Sequence, residues 1–186
     1  FKEAFKTGLK DIGKDNTIKN RGLLEFLENI AAYHSDSIKN GANEVKENNT
    51  AWILLDWKLQ VIKRPKYGQQ LHINTWARWI NKFFTYRDFE IFDEEGNLCA
   101  IATSKWTLMN LEERKMVRLT EELMNRYNPE EKFVFSEPEL GKLKVSNDFI
   151  ANKKYQAIRK DMDTNAHMHN LYYLDLASEA LPDEVY

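Results

Sequence analysis

The chain has 186 residues, of which 42% are hydrophobic and 30% are charged, and its formal net charge is −2. This balance excludes a disordered chain, and the small net charge argues against a nucleic-acid-binding protein. No apolar run is long enough to span a membrane, and the single cysteine, Cys99, excludes an intramolecular disulfide and a cysteine-based zinc site.

The beginning of the chain is predicted to contain a strand, a polar turn and a helix. Residues 2–6 alternate loosely between polar and apolar side chains, which is typical of a strand. Residues 11–20 are polar and turn-like, and Asn20 is expected to be the N-cap of the helix that follows. Apolar residues then recur at helical spacing from Leu23 to Ala31, so the helix is expected to fade near Ser35.

The segment 51–109 is predicted to form an antiparallel sheet, because bulky and polar side chains alternate along it. In its first strand, Leu55 is expected to lie on the same face as Trp57. The run 93–97 has the composition of a hairpin turn between the last two strands. The predicted strands are 52–62, 71–75, 85–92 and 98–109.

The residues after the sheet indicate a linker and the start of a second unit. A short helix is predicted at 119–127. The stretch 129–141 contains two prolines and a glycine among charged residues, which is typical of an interdomain linker. A short strand is then expected at 155–159, followed by an amphipathic helix from Leu171 to Leu181 that Pro182 ends.

The two longer predicted helices belong to an internal repeat with a spacing of 150 residues. In each copy a polar turn precedes an amphipathic helix, and the alignment needs no gap. This pattern indicates a tandem duplication of one unit made of a strand, a helix and a sheet. The aligned pairs include Asp11 and Asp161, Ile12 and Met162, Ile18 and Met168, Asn20 and Asn170, Leu24 and Leu174, and Glu25 and Asp175.

The two copies differ in the turn that precedes the helix. In an extended segment, residues i, i+2 and i+4 point to one side, so a carboxylate, an amide and an imidazole are expected to converge beside the second helix N-terminus. A carboxylate there can activate water or attack a carbonyl, and the helix terminus can stabilise an oxyanion. This chemistry suits hydrolysis of an activated acyl compound without a metal. The first copy has Gly13, Asp15 and Thr17 where the second has Asp163, Asn165 and His167.

Two other interpretations of this turn stay open. Asp, Asn and Thr are common helix caps, and His often lies beside them, so the turn can be purely structural. Asp163, His167 and His169 also form a possible metal-ligand set. No further ligand cluster is visible in the sequence, so no metal is predicted.

Two groups of residues resemble a known family. The first is rich in tryptophan and comprises 49–57, 64–68, 75–77, 86–89 and 102–106. The second is the run 159–170, which carries the Asp-x-Asn-x-His element, and continues to 179–182. On these residues the chain resembles the acyl-acyl-carrier-protein thioesterases, the plant and bacterial enzymes that release fatty acids from their carrier protein. The resemblance covers nearly the whole chain.

The resemblance implies an α+β fold of the tandem, or double, hot-dog type, in which each copy wraps a long helix in an antiparallel sheet. Residues 1–128 would form the first hot-dog domain with the acyl-chain pocket, and 129–141 would form the linker. Residues 142–186 would begin the second hot-dog domain, which carries the catalytic motif. The second copy is expected to be truncated, because the sequence ends before most of its sheet.

The resemblance also implies a function. The expected reaction is hydrolysis of the thioester of fatty acyl-acyl carrier protein in fatty acid biosynthesis, with Asp163, Asn165 and His167 as catalytic residues and with no cofactor. The expected partner is an acyl carrier protein that carries a fatty acyl chain, and the expected location is cytoplasmic, with a homodimer possible. Because carrier proteins are acidic, a basic docking face is expected at Lys63, Arg64 and Lys66, with Arg78, Lys82 and Arg87 as further candidates.

Three alternatives remain beside this hypothesis. An acyl-CoA thioesterase keeps the fold and changes the carrier of the acyl group. A non-catalytic hot-dog regulator binds acyl groups without turnover. A hot-dog dehydratase is a fourth option, although double hot dogs of that class lack this tryptophan pattern.

Overall fold

The segment 51–109, in which polar and apolar side chains alternate, forms most of an antiparallel sheet. The segment with apolar residues at helical spacing from Leu23 to Ala31 lies in a long helix beside it. The computed structural model describes residues 1–79, 81–137, 139–144, 154–163 and 167–182. It divides into two compact units, Phe1–Gly141 and Lys142–Tyr186. The strands are β1 (Lys2–Lys6), β2 (Thr50–Val61), β3 (Gln70–Trp79), β4 (Thr85–Phe92), β5 (Leu98–Asn110) and β6 (Lys115–Met116). The helices are α1 (Asn20–Ser37), α2 (Val45–Asn48), α3 (Glu121–Arg126) and α4 (Asn170–Ser178), and 3₁₀ turns lie at Ala42–Glu44 and Arg159–Asp161.

The sheet of the first unit has the strand order β1-β3-β4-β5-β2, and the short β6 pairs with β5. Every neighbouring pair of strands is antiparallel. The helix α1 packs against β1 and β3 on one face of this sheet. A long helix wrapped by an antiparallel sheet is the hot-dog fold, so the predicted α+β hot-dog class is confirmed.

Apolar contacts between α1 and the sheet form the core of the first unit. Leu23, Leu27 and Ile30 recur at intervals of one helical turn and are fully buried. On the helix-facing side of the sheet, Phe89 and Ile91 of β4 are fully buried as well. Burial of each such side chain contributes roughly 1.5–3 kcal/mol, so these contacts hold α1 in place without help from its caps.

Both ends of α1 differ from the prediction. Lys19, rather than Asn20, is the N-cap, and it makes no side-chain capping bond. Asn20 is the first helical residue, and its Oδ1 accepts a hydrogen bond of 2.7 Å from Arg64. The helix continues past Ser35 to Ser37 because His34 and Ser35 are buried. Among the described residues, no helix is both long and apolar enough to cross a membrane.

A bulge interrupts the alternation of β2 at Leu55. Leu54 pairs with Trp106 and Asp56 pairs with Lys105, so the intervening Leu55 has no partner on β5. The extra residue turns the side chain of Leu55 outward, where it is 46% exposed. The prediction that Leu55 shares the face of Trp57 is therefore wrong.

The stretch 129–141 is predicted to be a linker, and several of its described residues lie against the face of the sheet opposite α1. The Lys132 carbonyl accepts a hydrogen bond of 2.8 Å from Trp76 Nε1, and Lys132 Nζ lies 2.6 Å from Glu90 Oε1. Farther along, Leu140 N–H donates to the Tyr86 hydroxyl at 3.3 Å. We call residues 129–137 and 139–140 the strap. Its role as a link between two domains stays a prediction.

The second unit contains the predicted helix but not the predicted strand. The described residues 154–158 have no regular structure and lead into the 3₁₀ turn at Arg159–Asp161. A strand needs a hydrogen-bonded neighbour, and no strand of the described part of this unit supplies one. The helix α4 ends at Ser178, so Leu181 lies beyond it and is 48% exposed.

The close approach of α1 to the preceding turn gives a testable prediction. A Cβ at Gly22 would lie 2.9 Å from the Asp11 carbonyl oxygen and 3.1 Å from Ile18 Cγ1. Helix propensity alone favours alanine by roughly 1 kcal/mol, but the backbone oxygen cannot move aside easily. Gly22→Ala is therefore expected to destabilise the protein by about 1–3 kcal/mol, measured by urea unfolding. Gly141→Ala is the control, because no atom lies within 4 Å of its Cβ position; equal midpoints for both variants would contradict the prediction.

Candidate active site

Each unit has a helix-entry turn, the segment that leads into its helix: residues 11–19 before α1 and residues 161–169 before α4. A buried aspartate anchors each turn at equivalent positions of the repeat. Asp11 Oδ2 accepts a hydrogen bond of 2.7 Å from Gly8 N–H, and Asp161 Oδ2 accepts one of 2.9 Å from Ile158 N–H. The two residues are 3% and 0% exposed. The bond from Ile158 N–H and a further one from the Tyr155 hydroxyl hold the pKa of Asp161 below its usual value.

Among the described residues, the two helix-entry turns share one β-bridge and two backbone hydrogen bonds at the spacing of 150 residues. A β-bridge joins Ile12 to Ile18 in the first turn and Met162 to Met168 in the second. The predicted repeat is therefore a repeat of backbone geometry as well as of residue type. Four equivalent bonds, each of 2.8 Å, run from Gly13 N to Thr17 O, Asp163 N to His167 O, Lys19 N to Asp11 O and His169 N to Asp161 O.

The second helix-entry turn brings Asp163 and His167 together. The Asp163 carboxylate accepts a hydrogen bond of 3.0 Å from the backbone N–H of His167, while Asp163 is half-buried and His167 is exposed. The backbone joins the same two residues, because Asp163 N–H donates a hydrogen bond of 2.8 Å to the His167 carbonyl. Asn165, the third predicted residue, lies outside the described residues.

His169 caps the helix that follows. Its Nδ1 accepts a hydrogen bond of 3.4 Å from Leu171 N–H, which makes His169 the N-cap of α4. The capping interpretation of the turn thus applies to His169, and Asp163 has the separate bond to His167. Within the described part of the chain, no group of three or more His, Cys, Asp or Glu residues is arranged to hold a metal ion.

The first helix-entry turn uses its carboxylate internally. Asp15 accepts hydrogen bonds from the Thr17 hydroxyl at 2.6 Å and from Thr17 N–H at 3.0 Å. These bonds, the hydroxyl bond most of all, lower the pKa of Asp15. At the position of Asp163 this turn has Gly13, which offers no side chain. The two turns therefore share a backbone and differ in what they present to a ligand.

Two of the three predicted docking residues have structural partners. Lys63 Nζ lies 3.1 Å from Asp93 Oδ2, and this contact raises the pKa of Lys63. Arg64 donates hydrogen bonds to the Ile18 carbonyl and to Asn20 at the start of α1. Lys66 is exposed at the end of the same segment.

Two of the further docking candidates are wrong, because both side chains are inside the first unit. Arg78 is 3% exposed and Arg87 is 6% exposed. Arg87 Nη1 lies 2.9 Å from His34 Nδ1 and 3.2 Å from Thr75 Oγ1. The sequence of β4 gave no signal for this cluster, because an arginine next to an aspartate is usually solvated.

The residues of the first unit also identify the protein family. A family model described as the acyl-ACP thioesterase N-terminal domain matches residues 1–127. The chain belongs to the acyl-ACP thioesterase family. The match contains the whole sheet, α1 and the buried arginines, whereas the second helix-entry turn lies outside it.

Curated relatives and a solved structure of acyl-ACP thioesterases agree with this membership. Oleoyl-acyl carrier protein thioesterase 2 of Arabidopsis thaliana is 24% identical over 201 residues, which cover 100% of this chain and 55% of the relative. Palmitoyl-acyl carrier protein thioesterase of Cuphea hookeriana is 26% identical, with coverage of 100% and 48%. The crystal structure of an acyl-ACP thioesterase from Bacteroides thetaiotaomicron matches with a TM-score of 0.86 at 24% identity, covering 100% of this chain and 75% of that one. The chain thus spans about half the length of the curated acyl-ACP thioesterases that it matches.

The buried imidazole of His34 predicts that acid lowers the folding stability of this member of the acyl-ACP thioesterase family. Burial, and next the Arg87 guanidinium, lower the pKa of His34 to about 3. Between this value and the unfolded value of about 6.5, the unfolded chain binds a proton that the folded chain does not, so stability falls as pH falls through this window. His34→Gln removes the titration and keeps an acceptor for Arg87. Its free energy of unfolding, measured in urea from pH 7 to pH 4, is expected to depend less on pH than that of the wild type.

The control for this experiment is His72→Gln, which removes an exposed imidazole from β3. It is expected to leave the pH dependence as in the wild type. A His34→Gln variant with the wild-type pH dependence would show that His34 is not buried in its neutral form.

Proposed function

We propose that the protein hydrolyses the thioester of a fatty acyl group on acyl carrier protein and releases a free fatty acid. The observation that carries this proposal is the second helix-entry turn, which holds a carboxylate and an imidazole where the same backbone in the first unit has glycine and threonine. Membership of the acyl-ACP thioesterase family supports the choice of substrate. The names of the curated relatives support it further.

In the proposed reaction, Asp163 acts on the carbonyl side of the thioester. It either takes a proton from a water molecule that attacks the carbonyl carbon, or attacks that carbon itself before water completes the hydrolysis. The carbon–sulfur bond breaks in either case, and the thiolate of the carrier takes up a proton. Asn165 and His167 orient the carboxylate, the water and the substrate.

The N-terminus of α4 is proposed to stabilise the oxyanion through its dipole. In its first turn, Leu171 N–H already bonds to His169 Nδ1, and Tyr172 N–H bonds to the His169 carbonyl. These donors are therefore not available to the substrate in this arrangement. The partial positive charge of the helix terminus still favours negative charge on a nearby carbonyl oxygen.

The proposed division of labour follows the predicted domains. The first hot-dog domain, 1–128, would hold the acyl chain, 129–141 would join the two domains, and 142–186 would contribute the catalytic turn. The fully buried apolar side chains of α1 and the sheet support the proposal that the first domain holds the apolar acyl chain. A homodimer and a cytoplasmic location remain expectations that accompany this proposal.

Substitutions in the two helix-entry turns test the catalytic assignment. In the full-length protein, Asp163→Asn and His167→Ala are each expected to lower kcat on a fatty acyl-acyl carrier protein by about 10²–10⁴-fold, because each removes a group that acts in the transition state. Steady-state release of free fatty acid measures the effect.

The matched control uses the first turn, whose carboxylate bonds to its own threonine. Asp15→Asn changes a carboxylate in the repeated backbone and is expected to keep kcat within about threefold of the wild type. The assignment fails if Asp163→Asn and His167→Ala keep wild-type rates, or if Asp15→Asn loses activity to the same extent.

An acyl-CoA thioesterase is the second candidate function. The observation that keeps it open is that Lys63 and Arg64 of the predicted docking face are engaged within the fold, which leaves Lys66 as its most available cation. A carrier protein needs such a face, whereas the small CoA group needs less of it.

Charge reversal at Lys66 separates the two carriers. Lys66→Glu is expected to lower kcat/KM on acyl-acyl carrier protein by roughly 3–10-fold through KM, with a smaller loss at high salt, and to leave acyl-CoA hydrolysis unchanged. Lys115→Glu, at the opposite end of β2 near Thr50, is the control. A higher wild-type kcat/KM on acyl-CoA, with no effect of Lys66→Glu on either substrate, would favour the acyl-CoA enzyme.

A further inference from the structure

The first unit contains a buried guanidinium that has no carboxylate partner among the described residues. Arg87 is 6% exposed, and its hydrogen-bond partners are His34 and Thr75, both on Nη1. None of the ion pairs between described residues involves it. Buried charges in proteins are nearly always paired, because an isolated one is costly to remove from water. The position of Arg87 therefore needs an explanation.

The neighbouring Arg78 provides the comparison, since it is buried on the opposite face of the same pair of strands. Its Nε lies 3.0 Å from Asp88 Oδ2, and Tyr86 and Phe133 place their rings beside the guanidinium. Asp88 also accepts a hydrogen bond from Thr103. This is how the fold accommodates an arginine with a purely structural role, and no carboxylate of the described part of the chain takes the corresponding position beside Arg87.

The side chains in contact with Arg87 are neutral and cannot replace an anion. Because an arginine only donates, His34 Nδ1 must accept, so the imidazole carries its proton on Nε2. Thr75 offers a hydroxyl oxygen, and the Tyr127 ring centre lies 5.7 Å from the guanidinium carbon. Burial lowers the pKa of Arg87 to about 10, so it stays protonated near neutral pH.

The guanidinium keeps donors for a ligand. Of the five N–H groups of an arginine, the two on Nη1 serve His34 and Thr75. The groups on Nε and Nη2 have no acceptor among the described residues, and together they form the planar edge that binds a carboxylate through two parallel bonds. The surroundings are aromatic, because Tyr127 packs edge-on against both His34 and Trp52.

We propose that Arg87, with His34 and Thr75, is a binding subsite for the carboxylate of an aliphatic acid inside the first unit. The free donor edge supplies the specificity for the carboxylate, and the aromatic rings with the apolar face of α1 favour an aliphatic remainder. The carboxylate has two potential sources, the head of a free fatty acid or the far end of a dicarboxylic acyl chain. The inference does not depend on the proposed hydrolysis, because all its residues belong to the first unit.

Binding of matched ligands tests the subsite by isothermal titration calorimetry on the whole protein. Dodecanoate and dodecanol differ only in the head group, so the wild type is expected to bind dodecanoate at least about tenfold more tightly. In Arg87→Met this difference is expected to disappear through loss of dodecanoate affinity. Dodecanedioate and its monomethyl ester are further probes that identify the source of the carboxylate. Tighter binding of the diacid than of dodecanoate points to the far end of a dicarboxylic chain. Equal binding of the two points to the head of a free fatty acid.

A stability measurement separates a ligand-binding role from a structural one. If Arg87 serves a ligand, Arg87→Met replaces an unpaired buried charge by an apolar chain of similar length and is expected to raise the urea midpoint of the ligand-free protein. Arg118→Met removes an exposed arginine and is the control for loss of positive charge. It is expected to change neither the midpoint nor the preference for dodecanoate.

The proposal is overturned if the wild type binds dodecanoate and dodecanol equally, or if Arg87→Met keeps the preference for dodecanoate. It is also overturned if Arg87→Met lowers the urea midpoint and weakens both ligands to the same extent. Thioester hydrolysis is measured separately on the same samples. A protein that shows the Arg87-dependent preference without turnover would retain the subsite and refute the proposed hydrolase activity, and the reverse result would refute the subsite alone.

Discussion

A buried aspartate at the start of each helix-entry turn fixes where the following helix begins. The carboxylates of Asp11 and Asp161 each accept a hydrogen bond from a backbone N–H three residues earlier. Their carbonyls accept hydrogen bonds from Lys19 N–H and His169 N–H, so the aspartate also joins the beginning of the turn to its end. Loss of such a carboxylate would remove a hydrogen bond to a partly buried backbone N–H, which contributes about 1 kcal/mol. Gly22 of α1 then lies directly against the Asp11 carbonyl.

Because the anchor and the backbone bonds repeat, the two turns can differ in chemistry without a change of fold. The first turn joins Asp15 to Thr17 by two hydrogen bonds and so has its carboxylate engaged. The second turn leaves the His167 side chain exposed and holds Asp163 beside it through a backbone bond. A shared frame with different side chains is how one fold supports unrelated functions, and for this reason the proposed activity rests on the second turn rather than on the hot-dog fold.

Much of this arrangement could be predicted from the sequence, because repetition and alternation are visible in it. The repeat predicted equivalent turns before α1 and α4, and the alternation of β3, β4 and β5 predicted the sheet. The bulge at Leu55 was missed because one inserted residue shifts the alternation without changing composition. The prediction of a strand at 155–159 was wrong, because alternating side chains do not by themselves provide a neighbouring strand for hydrogen bonds. Asn20 was expected as the N-cap because of its residue type, but its amide bonds to Arg64, a tertiary partner that no local pattern contains.

The two buried arginines illustrate why a candidate site is harder to predict than a fold. Arg78 and Asp88 are diagonal neighbours on one face of β3 and β4, so their charges meet across the strands. Arg87 is adjacent to Asp88 in sequence but points to the opposite face, toward Thr75 and His34. A basic residue next to an acidic one thus implies nothing about pairing in a strand, because consecutive side chains point apart. The pairing of strands, the position of α1 and the course of the strap decide which arginine meets Asp88. Arg87, by contrast, has no carboxylate partner among the described residues. A buried charge without a structural partner is a candidate site for binding an oppositely charged group.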